Sequence, residues 1–573
     1  MKRTILYFFF AMAAFGIVLA ACASSGIYFE TNDDRYITEI LSGAMLGERD
    51  SHAVHINYLL SLPLSMLYGL TIEIPWYGGM LILFLGISYF AILCAVSWQC
   101  ASVKQLPFVV AGAMAFFLLH YYVLGLLQFT SVAVMLALAA WICFLSGANG
   151  RWRYFAFAGL SLLSFLVRRD AMLLVMPMGM AVYGGFLVAE KGTTYLIKGK
   201  KLIIPVLILG TVMVVGFLGN AIGYSGSGWA EFQRYDKARA KISDYWGKPE
   251  YEEVEPILEK YAVTRAEYEA WCNYEALDWD ISVDAIQEIE EYAKAKWETE
   301  GLSQFWSALW RQFWENDRWG INRVSMIMCV VCLAFLLFTR RFRLLVPLGG
   351  LQAAKLLVWG YLFYMGRMPH RVVIPLFACE TAFLWMLMLK AAPLKESERG
   401  KEKQWQIWLG RSVILLVLCL FGAGAYFSGR QQYRYITEQN TGQRIFMEGM
   451  REIGEYCLKR PDHKYFLESV AMSYYKGSAL ETEIYGERNY MIMGTWYSNS
   501  PPMGKALREY LSDNENGIYL IVYDDATGKE HSSVKYLEEK TASEPVCVDS
   551  FTVSHGGTYL VYYFDGRLSL NGI

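Results

Sequence analysis

Residues 56–70 read INYLLSLPLSMLYGL, an apolar stretch interrupted by Pro63. It is short for a membrane span, which needs about 20 apolar residues to cross a hydrocarbon core of about 30 Å. Apolar runs nearer that length occur around 4–28, 76–98, 106–124, 128–146, 154–168, 171–189, 202–223, 319–338, 344–363, 372–389 and 407–428. Whether 56–70 crosses the membrane decides which side everything after it faces. Cytoplasmic loops carry the excess of Lys and Arg. If 56–70 stays in the interface, the loops with Arg151/Arg153, Lys191/Lys198/Lys200/Lys201, Arg340/Arg341/Arg343 and Lys390/Lys395/Arg399/Lys401/Lys403 lie inside, together with Lys2 and Arg3. If it crosses, those four loops all move outside. The reading is therefore a polytopic α-helical membrane protein of about 11 spans, N-terminus cytoplasmic and C-terminus extracytoplasmic.

The composition agrees with that class. Of 573 residues 55% are hydrophobic and only 18% charged, against about 25% charged in a soluble domain. A net charge of -2 lacks the basic patch that marks a nucleic-acid binder. The short inner loops hold no GxxxxGK[ST] and no placed GxGxxG, which speaks against a nucleotide as direct substrate. Most of the 11 cysteines sit in apolar runs as small hydrophobes. Cys329 and Cys332 have CxxC spacing, but inside a span. Leu19-Ala20-Ala21-Cys22 resembles a lipobox, and an uncleaved first span explains the same residues.

This topology gathers the polar chemistry on the outer face: loop 29–75, the turn at Gln128, the Arg168-Arg169-Asp170 corner, loop 224–316, the corner Gly366–Arg371 and the tail 429–573. The first loop opens Glu30-Thr31-Asn32-Asp33-Asp34-Arg35-Tyr36, and Ile37, Ile40, Leu41, Ala44 and Met45 follow at helical spacing. That pattern predicts an amphipathic helix at the interface. Asn32-Asp33 suits its N-cap, but capping needs one short acid and here there are two. Cations outside run against the usual bias. Arg168 and Arg169 at one corner, and Arg367, His370 and Arg371 at the other, are therefore candidate phosphate ligands as well as interfacial side chains. Loop 224–316 is acidic, with 20 Asp+Glu against 10 Lys+Arg. Its end (Phe305, Trp306, Leu309, Trp310, Phe313, Trp314) reads as an interfacial anchor or an entry for a lipid-linked substrate.

From 429 the character changes. Helical sequence (432–459) gives way to strand-like 464–470, 490–495, 517–523, 546–553 and 558–564. Helices are expected at 502–511 and 532–540, making a small α/β domain outside the membrane. Asp524-Asp525 reads as a turn. The domains are thus 1–428, with outer loops 29–75 and 224–316, and 429–573.

An acidic pair soon after span 1, a long first outer loop, a late outer Arg corner and an outer C-terminal domain resemble the GT-C superfamily of membrane glycosyltransferases, which use polyprenyl-phosphate or -diphosphate sugars. Asn32-Asp33-Asp34-Arg35-Tyr36 is similar to the acidic start of their first loop. Arg367-x-x-x-Arg371 with Pro375 is similar to a late Arg…Pro segment. The tail has no Trp-Trp-Asp, unlike an oligosaccharyltransferase. The first loop has no Pro-Pro-Leu, unlike the mannosyltransferases. The resemblance implies a carrier lipid presenting a sugar at the outer leaflet and a cell-envelope acceptor, glycan or protein. It implies Asp33 or Asp34 as general base, with Asp34 preferred because Asn32 or Asp33 stays free to cap. It implies Arg168, Arg169, Arg367, His370 and Arg371 around the phosphate. A divalent metal is left open, since the superfamily has metal-dependent and metal-free members. Two other classes stand beside it: a polysaccharide polymerase or lipid-linked glycan transporter, and an envelope acyltransferase or scaffold. An acyltransferase would want an intramembrane base, and His120 is the one histidine within a span.

Overall fold

The computed structural model describes residues 26–99, 106–146, 150–192, 201–277, 280–315, 318–391, 404–469, 474–482, 489–512, 517–524 and 531–568, with scattered positions before them. Most of the first expected span, Cys22 included, lies outside the described residues, as do Asp525 and the side chains of the 305–314 aromatic stripe.

After a short strand β1 (Tyr28–Phe29) come α1 (Asn32–Ser42), α2 (Tyr58–Tyr68), α3 (Trp76–Trp98), α4 (Leu106–Leu119) and α5 (Tyr121–Gly125). Strand β2 (Leu126–Leu127), paired in parallel with β1, leads to α6 (Phe129–Leu145), α7 (Trp152–Val167), α8 (Arg169–Lys191) and α9 (Ile203–Gly223). Six described helices are long and apolar enough to cross a bilayer: α3, α8, α9, Ile321–Phe338, Phe342–Tyr364 and His370–Ala391. At 11 residues α2 is about 16 Å long, too short to cross. Helix α6 is buried at every position but Cys143 and packs against α3, α7, α8 and the helix His370–Ala391. It is the axis of the bundle. The span expected at 106–124 is broken at His120. There Gln432, far along the chain, accepts from Tyr122 N (2.7 Å) and donates to Leu119 O (2.8 Å), satisfying backbone groups the break would leave unpaired.

Loop 224–316 folds into α10 (Trp229–Lys241), a π-helical turn (Ile242–Trp246), α11 (Tyr251–Lys260), α12 (Arg265–Cys272) and α13 (Val283–Glu315). Helices α14 (Ile321–Phe338), α15 (Leu345–Tyr364) and α16 (His370–Ala391) return to the bundle. The last expected span is part of α17 (Gln404–Leu458), a single helix of 55 residues that runs without a break across the expected domain boundary at 428/429. The α/β unit starts only at β3 (Tyr465–Glu468). It continues through β4 (Tyr490–Met493), α18 (Pro501–Leu511), β5 (Ile518–Tyr523), α19 (Ser532–Thr541), β6 (Val546–Thr552) and β7 (Thr558–Phe564). The sheet order is β4-β3-β5-β7-β6, parallel on one side of β5 and antiparallel on the other.

The amphipathic helix expected after Glu30 is present as α1, but its faces are covered by protein. Residues 34–42 are all buried: Ile37 and Leu41 join the core of the bundle, while Tyr36 and Ile40 join a second core with Trp229, Phe232, Tyr465 and Ile521. An amphipathic face marks one apolar surface; here both surfaces of the helix are covered, because the tail closes over the side that pattern left polar.

Candidate active site

Helix α1 starts after Thr31, whose extended backbone (φ -132°) makes it the N-cap, so the sequence expectation of Asn32-Asp33 is off by one or two residues. Asp33 and Asp34 then share the first turn, where the helix dipole favours acids. Successive helical residues point about 100° apart, and the two separate. Asp34 is wholly buried. Its Oδ1 accepts from Tyr77 Oη (2.8 Å) and Phe129 N (3.2 Å), and its Oδ2 from Thr31 Oγ1 (3.3 Å). It thereby ties α1 to the starts of α3 and α6, and burial pushes its carboxyl well above the ordinary range. Asp33 instead lines a cavity of about 1080 Å³.

That cavity has two unlike ends. Leu173, Leu174 and Pro177 of α8 with Leu357, Val358 and Leu362 of α15 form an apolar wall within the bundle. Asp33, Arg168, Arg367 and Arg371 lie toward the polar end, with His55, Arg239, Lys241, Asp244, Trp246 and, from the tail, Ser469, Thr495 and Trp496. Distant parts of the sequence meet here because loop 224–316 and the tail pack closely. A Cβ built at Gly494 (φ 66°) would sit 2.1 Å from Tyr274 O, so only glycine fits that contact.

The cations differ in how far they are committed. Arg239 is paired with Asp236 (2.5 Å) and donates to Tyr274 Oη (3.2 Å). Lys241 is paired with Glu290 (2.6 Å). Arg367 is paired with Asp244 of the π-turn and lies 5.6 Å over the Tyr245 ring. Arg168 stacks over Phe129 (5.4 Å), with Asp170 only loosely placed at 3.9 Å. Arg371 makes no ion pair among the described residues. Its charge acts on Glu30, whose carboxyl burial pushes up to about 7 against the pull of the Tyr122 hydroxyl, Arg371 and Lys476.

Two sequence candidates lie elsewhere. Arg169 is half exposed and paired with Asp170 (2.9 Å), its guanidinium over Phe217. The His370 ring packs against Tyr122 and Trp319. Neither lines the cavity. Being adjacent to Arg168 and Arg371 in sequence places them on other sides of their helix starts. His120 is buried in the bundle, its Nδ1 on Phe116 O (2.8 Å), away from the cavity. Cys329 and Cys332 are free thiols on α14, and no group of three or more metal-binding side chains occurs among the described residues. Arg239, His55 and Trp496 went unread. Arg239 stands among Arg234, Lys237 and Lys241, so nothing sets it apart from the cations of a solvated helix face, and nothing local marks the π-turn or the tail's approach.

No family model matches the sequence, and no curated protein does. One likeness to a solved structure spans almost the whole chain. It is to the crystal structure of ArnT from Cupriavidus metallidurans bound to undecaprenyl phosphate, with 10% identity, 97% of each chain covered and a TM-score of 0.38. Between chains so far apart, what this site does has to come from its own geometry.

Proposed function

We propose that the chain is a GT-C-like membrane glycosyltransferase that moves a sugar from a polyprenyl-phosphate carrier to a hydroxyl of a cell-envelope acceptor on the outer face. The observation that carries the reading is one cavity with an apolar wall between helices long and apolar enough to span a membrane and a carboxylate beside arginines at its polar end. A polyprenyl chain needs the first and a transferable phosphate-linked sugar the second.

In this reading the acceptor oxygen attacks the anomeric carbon. The bond from that carbon to the phosphate oxygen breaks, and the polyprenyl phosphate leaves with the electron pair. Asp33 takes the acceptor's proton. Arg371 and Arg168 offset the charge that develops on the leaving phosphate, the first because it makes no ion pair among the described residues and the second because Asp170 holds it only loosely. Arg367, already paired with Asp244, shapes the rim. Asp34 is a fixed joint between helices and not the base.

The test is Asp33→Asn in purified protein. Losing a general base costs about 10²–10⁴-fold in rate, so transfer should fall by that factor while undecaprenyl phosphate still binds. Full transfer activity in Asp33→Asn would remove the base from this mechanism, and no transfer by the wild type would favour a transport or scaffold role.

A further inference from the structure

His55 lines the cavity and takes no part in the proton or phosphate chemistry above. Its backbone approach is strained: Val54, a β-branched residue, is held at φ 55° in the left-handed region, which such residues rarely adopt. The Val54 N–H donates to Tyr224 Oη (2.9 Å), and that bond holds the turn. Strain of this kind persists where the surroundings over-determine it, often at ligand sites. What it delivers is the His55 ring, parallel to Phe129 (5.9 Å, 10°) and against Trp496 of the tail (4.3 Å), with Tyr36 edge-on to Trp496 (6.3 Å, 78°).

Among the described residues neither imidazole nitrogen of His55 has a hydrogen-bond partner. Burial, with Arg168 adding to it, pushes the imidazole down to about 3. It is therefore neutral at physiological pH and too weak a base to replace Asp33. A neutral imidazole offers one N–H donor and one acceptor lone pair. A phosphate diester only accepts and leaves the lone pair unserved. A hydroxyl both donates and accepts. Aromatic faces beside such a group suit the C–H faces of a sugar ring.

We propose that His55, backed by Trp496, holds the donor's sugar, a neutral pyranose, through its hydroxyls; this rests on the glycosyl-transfer reading above. The tail then completes the donor site, since Trp496 is the only one of these rings that comes from beyond the bundle and its first loop.

Affinities of the full-length protein for undecaprenyl phosphate, and for the same lipid carrying glucose, galactose or mannose, test this. The wild type should bind at least one glycosylated lipid more tightly than the bare one. His55→Phe keeps the stacked ring and removes both hydrogen bonds. It should reduce that gain about tenfold, roughly the worth of one or two hydrogen bonds, with the bare lipid bound as before. His55→Gln, which again offers a donor and an acceptor, should recover part of the gain. The proposal is overturned if the wild type gains nothing from any of the three sugars, or if His55→Phe leaves the gain intact or weakens bare and glycosylated lipid alike. Failure of the wild type to bind even the bare lipid would instead sink the carrier-lipid reading beneath it.

Discussion

Asp33 and Asp34 are chemically the same and adjacent, yet only one faces the cavity. The division follows from helix geometry and from Tyr77 and Phe129, which arrive from other helices to claim Asp34. Arg371 and Arg367 divide in the same way, because Asp244 reaches one and not the other. Their pairing sets their expected contributions. Arg371→Ala should weaken use of a polyprenyl-phosphate donor by about 10- to 100-fold, the range for hydrogen bonds to a charged group. Arg371→Lys should lose less, because it keeps the charge but not the two-point grip of a guanidinium. Titration of donor against transfer rate in the three proteins checks this, and equal donor affinity in all three would remove Arg371 from the phosphate site.

At the scale of elements, the bundle contains an ionic joint. Glu380 of α16 accepts from Lys355 Nζ (2.6 Å), Gln352 Nε2 (3.0 Å) and the Ser325 hydroxyl, linking α14, α15 and α16. A single acid in an apolar run of 22 residues does not interrupt a span by hydropathy, so nothing local showed the joint. Ionisable groups at such depth pair with one another. Glu380→Ala would strand the Lys355 charge and should cost about 3–5 kcal/mol, read as a large fall in unfolding temperature in detergent. Pairing Glu380→Leu with Lys355→Met should recover much of that loss. A single Ala variant as stable as wild type would show that the pair is not closed in solution. Helix α17 makes a related point: 55 residues is about 80 Å, well beyond a bilayer core. Its apolar half was legible as a span and its polar half as a helix, but their continuity was not.

On the scale of the molecule, loop 224–316 and the tail form one body over the bundle. Lys540 bridges Glu267 and Asp280 (2.5 Å each), and Ser532 Oγ donates to Glu275 (2.6 Å) and accepts from Asn273 (2.7 Å). Glu275 is buried beside Glu468, and burial first, then that second carboxylate, raises its proton affinity above the ordinary glutamate range. A raised carboxyl adds stability that is full below its unfolded pKa of about 4.3 and is lost as pH rises through the folded value. The wild type should therefore unfold at a lower temperature at pH 9 than at pH 6, and Glu275→Gln, which stays neutral, should shrink that difference. The same pH difference in both proteins would exclude Glu275 as its source. The proposed sidedness has its own check. Cysteines introduced at Ser225 and Ser512 should react with an impermeant thiol reagent in intact cells, and one at Gly199 should not. The reverse pattern would overturn the span count.

Much of the fold was readable because its signals are local. Lipid-facing length shows as apolar runs, and the strands of the tail were placed to within one or two residues by their Tyr, Val and Ile content, 558–564 to the residue. The sequence by itself determined a polytopic helical membrane protein with an α/β tail, and it picked out Asp33, Arg168, Arg367 and Arg371. Only the tertiary structure decided that these four share a cavity, that Asp34, Arg169 and His370 do not, and that His55, Arg239 and Trp496 do. Hydropathy and charge sum over neighbours along the chain, so they report which segments enter lipid. A cavity is the gap left where segments hundreds of residues apart pack, and which face of each helix meets it is set by the partners that cover the others.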